Sequence, residues 1–137
     1  MAEKVKVLER EFVTHDVLRL RFEKPKDYSF TPGQAADITI EKPGWEETKS
    51  CFTFVSLPAA NYLEFEVKTY PERKRVTNEL RSIKVGDTLN LFDPFGDIRY
   101  KGEGVFIAGG AGITPFLGIL RTLEATNALG NNKLIFA

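Results

Sequence analysis

One stretch constrains the fold most: Gly104-Val105-Phe106-Ile107-Ala108-Gly109-Gly110-Ala111-Gly112-Ile113-Thr114-Pro115-Phe116. Val105 to Ala108 is a continuous apolar run, the pattern of a strand buried on both faces. Gly109, Gly110 and Gly112 follow it. Without Cβ atoms they permit a tight turn and let a bulky ligand approach the backbone. Thr114 reads as a helix N-cap and Pro115 as the first helical residue. Ile113, Phe116, Leu117 and Leu120 then recur at the spacing of one helix face. Strand, glycine turn and capped helix in that order aim backbone N–H groups and a positive helix end at one point, where phosphate binds well. Gly110-x-Gly112 begins like the dinucleotide pattern G-x-G-x-x-G, with Pro115 in the place of the third glycine.

The chain before this stretch alternates with period two. Residues 4–12 and 17–23 are predicted strands. In the second, Leu18, Leu20 and Phe22 face one way and Arg19, Arg21 and Glu23 the other. A third strand carries Ala36, Ile38 and Ile40 inward. A fourth covers about Cys51 to Ser56, with Cys51 expected to be a small buried side chain. The fifth has Leu63, Phe65 and Val67 against Glu64, Glu66 and Lys68. A short helix follows, with Thr77 as its expected cap and Leu80 and Ile83 pointing inward. The sixth strand spans Thr88 to Phe92 and runs into an Asp93-Pro94-Phe95-Gly96 turn.

Six short strands with one helix before the last suggest a mainly β fold, a closed antiparallel barrel. From about Val105 the pattern becomes strand, helix, strand, ending in Leu134-Ile135-Phe136. The expected division is a barrel domain over residues 1–102 and a truncated β-α-β start of a nucleotide-binding α/β domain over residues 103–137.

Lys+Arg and Asp+Glu are both 19 in 137 residues, so no strong field favours nucleic acid or an anionic membrane. One cysteine and one histidine argue against a disulfide framework, a thiolate or histidine metal site and a His-relay triad. No apolar run approaches a membrane span, and Met1-Ala-Glu-Lys-Val-Lys begins no secretory signal. The expectation is a cytoplasmic protein with neither nucleic acid nor membrane as partner.

Four motifs in this order resemble the ferredoxin–NADP reductase superfamily, and most closely its small bacterial flavodoxin-reductase-like members. Phe30-x-Pro32-Gly33-Gln34 is similar to the family's segment leading into the third strand. Phe52-Thr53 with Ser56-Leu57-Pro58 resembles its flavin motif R-x-[YF]-[ST], the arginine position falling on Ser50. Val76-Thr77-Asn78 resembles its pyrophosphate motif G-x-x-[ST], the glycine position falling on Lys74. Gly110-x-Gly112-x-x-Pro115 is similar to its nicotinamide-side motif, which ordinarily ends in proline.

The resemblance implies a flavin-dependent oxidoreductase passing electrons between NAD(P)H and an acceptor protein or small molecule through bound FAD. Phe52 would wall the isoalloxazine, and aromatic stacking suits its flat apolar faces. The Thr53 hydroxyl would meet N5, the hydride-accepting atom. The N–H groups of Val76, Thr77 and Asn78 would receive the diphosphate, with Arg73, Lys74 and Arg75 supplying charge. Gly110, Gly112 and Thr114 would lie on the nicotinamide side, with Thr53 and Thr114 as the catalytic pair. Two other readings stay open: a non-catalytic flavin-binding electron-transfer or regulatory subunit, and a flavin-free barrel serving as an interaction module.

Two parallel strands and one helix cannot cover both faces of a sheet that is apolar on both. Exposed apolar surface costs about 25 cal/mol per Å², so the expectation is either a fragment of a longer reductase or association of copies through residues 104–137, with weak nicotinamide binding and little turnover from this chain even when FAD is bound.

Overall fold

The computed structural model describes residues 2–137. Its strands are β1 (Glu3–Phe12), β2 (Val17–Glu23), β3 (Ala35–Ile40), β4 (Ser50–Thr53), β5 (Tyr62–Lys68), β6 (Thr88–Phe95), β7 (Val105–Ala108) and β8 (Lys133–Phe136). The helices are α1 (Val76–Glu79) and α2 (Thr114–Ala125). β1 to β6 form one antiparallel sheet in the order β4-β3-β6-β1-β2-β5. Its two edges approach each other beyond β4, where the Val55 N–H donates to the Glu64 carbonyl at 3.0 Å.

The alternation in the sequence sorts side chains as expected. Leu18, Leu20, Phe22, Ala36, Ile38, Leu63, Phe65, Leu89 and Leu91 are all essentially inaccessible. At the centre, Phe65 meets Phe22, Phe54 and Phe52 at ring-centroid distances of 4.9, 5.2 and 5.5 Å. Val76, Leu80 and Ile83 plug this core from the α1 segment, and Trp45 packs on it from the β3–β4 loop.

Four local expectations are corrected. β6 does not turn at Asp93 but continues to Phe95, with Pro94 paired to Ala36. β1 flanks β6 only from Thr88 to Leu91, and the β3–β6 ladder shifts register between Ala36 and Ile38. A proline is tolerated at such an irregular, singly flanked position. Cys51 is exposed, because Phe52 takes the inward direction on β4 and its neighbours must face out. α1 is capped by Arg75, with Thr77 its second residue. α2 is preceded by a 3₁₀ turn over Gly110–Ile113, so Thr114 already has helical dihedrals and Ile113 is the cap.

β7 and β8 pair in parallel, Val105 with Lys133 and Ile107 with Ile135. α2 covers one face of this pair, its Phe116 ring 5.2 Å from Phe106. The continuous burial expected for Val105–Ala108 is therefore not met: Val105 and Ile107 are exposed, and only Ala108 is buried. All four residues of β8 are exposed. The buried residues of α2 are Pro115, Gly118 and Ile119, rather than the expected face of Ile113, Phe116, Leu117 and Leu120, which is half-buried. The helix lies between two surfaces, and the barrel takes its small side.

Candidate functional site

The sequence-derived site residues fall into three groups. The first is on β4. Phe52 is half-buried against Phe65, and Thr53 is half-buried beside it. Ser50 begins the strand, paired with Ile38, while the Lys49 ammonium lies 4.2 Å from the centre of the Phe92 ring. The Cys51 thiol is pushed up by partial desolvation and then by the Asp37 carboxylate, so it stays protonated further above neutrality than a free thiol.

The second group follows β5. Arg73, Lys74 and Arg75 are exposed, and among the described residues none is paired with a carboxylate. The Arg73 guanidinium lies 5.2 Å from the Tyr70 ring centre. In α1 the N–H groups of Asn78 and Glu79 both donate to the Arg75 carbonyl at 3.0 Å, so Asn78 is engaged where a free donor was expected. The N–H groups of Val76 and Thr77 stand at the helix start, where no intrahelical acceptor exists. The Thr77 Oγ1 is buried with no hydrogen-bond partner in the structure. An inaccessible hydroxyl left unpaired is uncommon and costs free energy. Two free donors, an orphaned hydroxyl and an uncompensated basic run are a chemical fit for a bound diphosphate.

The third group is the glycine turn. Gly110 takes φ +54°, a conformation that favours glycine. The donors of the turn are largely consumed: Gly110 N–H goes to the Ala137 carbonyl at 3.2 Å and Gly112 N–H to Gly109 at 3.0 Å. The Thr114 Oγ1 donates to the Ala111 carbonyl at 3.0 Å. The turn therefore offers fewer free N–H groups than its glycine content suggests, since a 3₁₀ turn satisfies its own backbone.

Gly110 and Thr114 open on a mostly apolar cleft of about 300 Å³, shared with Val17, Glu66, Lys68 and Phe136. Neither Phe52, Thr53 nor residues 73–78 line it. The link between β4 and α2 is instead a backbone contact: a Cβ on Gly118 would lie 2.6 Å from the Phe54 carbonyl oxygen. Thr114 is one turn from that contact.

Residues that the sequence reading passed over join the two parts. Glu64 of β5 is buried between Arg21 of β2 and Arg121 of α2. The alternation had placed Glu64 on the outward polar face, and only the docking of α2 buries it.

A family model described as the oxidoreductase FAD-binding domain matches residues 4–100. The chain is 35% identical over 139 residues to the reductase component of propane 2-monooxygenase from Rhodococcus jostii, covering 96% of this chain and 36% of that protein. It is 27% identical over 115 residues to the ferredoxin–NAD(P)(+) reductase component of the naphthalene 1,2-dioxygenase system from Pseudomonas putida, covering 81% and 34%. The chain thus spans about a third of the length of these relatives. A crystal structure of a ferredoxin–NADP+ reductase from Neisseria gonorrhoeae with bound FAD and NADP superposes with a TM-score of 0.85 at 23% identity, over 98% of this chain and 56% of that one. That last likeness is one of fold.

Proposed function

The chain belongs to the oxidoreductase FAD-binding domain family, within the ferredoxin–NADP reductase superfamily, and from that premise we propose that it is the flavin-holding part of an NAD(P)H-dependent reductase serving an acceptor protein. Reductase components of monooxygenase and dioxygenase systems are its relatives, and such components exist to supply electrons to another protein. The observation that carries the reading is the start of α1: the free N–H groups of Val76 and Thr77, the orphaned Thr77 Oγ1 and the unpaired Arg73-Lys74-Arg75 run. Residues 1–102 form the FAD-binding part in this proposal and residues 103–137 the first segment of the NAD(P) part.

FAD, when bound, supplies the hydride-accepting and electron-releasing chemistry. The chain's own residues hold and orient. Phe52 presents an aromatic wall, already braced by Phe65. Thr53, next along β4, would supply a hydroxyl to the hydride-accepting edge of the ring. Arg73, Lys74, Arg75, Val76, Thr77 and Asn78 would hold the diphosphate, with Asn78 acting through its side chain because its N–H is engaged. Gly110, Gly112 and Thr114 lie on the nicotinamide side, where the cleft beside Glu66 and Lys68 gives a flat ring apolar walls.

The test is an absorbance spectrum of the chain after incubation with FAD and removal of the excess, then after NADH or NADPH is added without oxygen. Retained flavin that bleaches slowly and only at high NAD(P)H is the expected result, since β7, α2 and β8 alone offer a nicotinamide little to hold it; no retained flavin overturns the reading, and flavin that never bleaches reduces it to a binding subunit. Thr53→Ala is expected to keep FAD affinity and to slow bleaching by about tenfold, the loss of about 1.4 kcal/mol directed at the reacting atom. A wild-type rate in that variant removes Thr53 from the chemistry.

Self-association through residues 104–137 is part of the same proposal. Val105, Ile107 and Ile135 are 57, 71 and 56% exposed, and they share one face of the β7–β8 pair by register. Apolar surface of that kind favours association. Light scattering is expected to give a mass above the monomer; a monomer at every concentration would remove this element.

A further inference from the structure

Glu64 is the one charged side chain buried among the described residues, at 2% exposure. Leu63 and Phe65 on either side point into the barrel, so Glu64 points out of it, and α2 is what covers it. Its Oε1 accepts from Arg21 Nε at 2.6 Å and its Oε2 from Arg121 Nη1 at 3.0 Å. The same Arg121 nitrogen donates to the Val55 carbonyl at 3.1 Å. Arg121 thus grips both edges of the sheet at the place where they meet. The Glu64 N–H donates to the buried Ser56 hydroxyl at 3.1 Å, which fixes the strand under the carboxylate. The hydrogen bond that Arg21 donates to Glu64 holds the guanidinium pKa above its ordinary value, and Arg21 Nη1 also donates to Glu9 at 3.2 Å.

A buried carboxylate persists only when paired. Arg21, from the barrel itself, already provides one partner. The second guanidinium comes from α2, seven residues after Thr114 and therefore on the same side of the helix. Three residues before Arg121, Gly118 rests on the Phe54 backbone. α2 is accordingly pinned at two points in succession, and the position of Thr114 and of the Gly110 turn over β5 follows from where those pins lie.

We propose that Arg121 is a positioning residue: through Glu64 and the Val55 carbonyl it sets the offset of α2, with Thr114 and the glycine turn, from the barrel face that carries Thr53, and flavin reduction depends on that offset. The proposal rests on the flavin-reductase reading given above. It separates holding flavin, which belongs to the barrel, from presenting the nicotinamide side to it, which belongs to the clamp.

The test uses the 137-residue chain and its Arg121→Ala and Arg121→Lys variants. Arg121→Ala leaves Glu64 paired with Arg21, so the variant keeps no unpaired buried charge and its barrel remains folded. Three quantities are read: hydrogen exchange of the amides in residues 114–125 against those of β3 and β6, the dissociation constant for FAD, and the limiting rate of flavin reduction at saturating NAD(P)H. In Arg121→Ala, exchange in α2 is expected to rise about tenfold or more with β3 and β6 unchanged, FAD affinity to stay within about twofold, and the limiting rate to fall about tenfold or more. Arg121→Lys is expected to fall between, because an ammonium restores the charge but not the guanidinium fork. Unchanged exchange in α2 would show that the pair clamps nothing. Raised exchange with an unchanged limiting rate would show a structural brace without a role in reduction. FAD uptake by the unaltered chain is measured first. Its absence overturns the flavin-reductase reading and with it the role in reduction, and is seen apart from the clamp, which the exchange data judge alone.

Discussion

Phe65→Ala is expected to destabilise the protein by about 3–5 kcal/mol, the range for truncating a fully buried phenylalanine. Phe65 has no accessible surface, and it is the ring on which three others converge. Phe54, one of the three, stacks in turn on Phe30 at 4.4 Å, so the cluster spans the segment before β3, the β4 continuation and β5. A cavity there lies at the junction of the two sheet edges, which share the Val55–Glu64 backbone bond. The cost is large against the stability of about 5–15 kcal/mol usual for a domain. Chemical denaturation measures it. A loss below about 1 kcal/mol would mean that the neighbouring rings close the space, contrary to the usual partial relaxation of cores.

Gly33→Ala carries the second large effect, roughly 2–6 kcal/mol, from two causes that add. Gly33 has φ +103°, a region that costs an L side chain about 1–3 kcal/mol. A Cβ at this position would also meet the Ile98 carbonyl carbon at 2.9 Å, with its oxygen nearer still. Those are backbone atoms that cannot swing aside, and overpacking of this sort costs about 1–3 kcal/mol. The segment after β6, including Gly96, whose carbonyl receives the Gln34 side chain, would have to move away from the β3 entry. Thermal unfolding of the variant tests this. A midpoint equal to the unaltered protein's would show that the Ile98 segment has freedom to retreat.

The legibility of the fold follows from what each sequence signal physically encodes. Leu18-x-Leu20-x-Phe22 and Leu63-x-Phe65-x-Val67 could be read as strands because period two reflects the pleat itself, and their inward residues are buried as expected. The extension of β6 through Pro94 was not legible. It depends on β1 beginning at Glu3, opposite Leu91, so that the rest of β6 has β3 alone as a partner, a fact about a neighbouring strand. The caps at Thr77 and Thr114 were misplaced for a related reason. A threonine before an apolar run is a local invitation to cap, but a 3₁₀ turn entering α2 and an extended Arg75 entering α1 satisfied the starts in another way. The same displacement leaves the Thr77 hydroxyl orphaned, which is the feature that most supports a ligand at α1.

By itself the sequence determined which residues of β2, β3 and β5 point inward, that a glycine turn joins β7 to a helix, and that residues 104–137 carry more apolar surface than one helix can cover. The exposure of Val105, Ile107 and Ile135 agrees with that last reading. Only the tertiary structure decided what lies on the outward face of the barrel. Glu64, Glu66 and Lys68 are equivalent in the alternating pattern, yet Glu64 is buried, Glu66 half-buried and Lys68 exposed. The difference is made by α2, which arrives from 50 residues further along the chain to set Gly118 on Phe54 and Arg121 on Glu64. Alternation reports the direction of a side chain and carries no information about a distant element that will cover it, because that contact is selected by the fit of two finished surfaces.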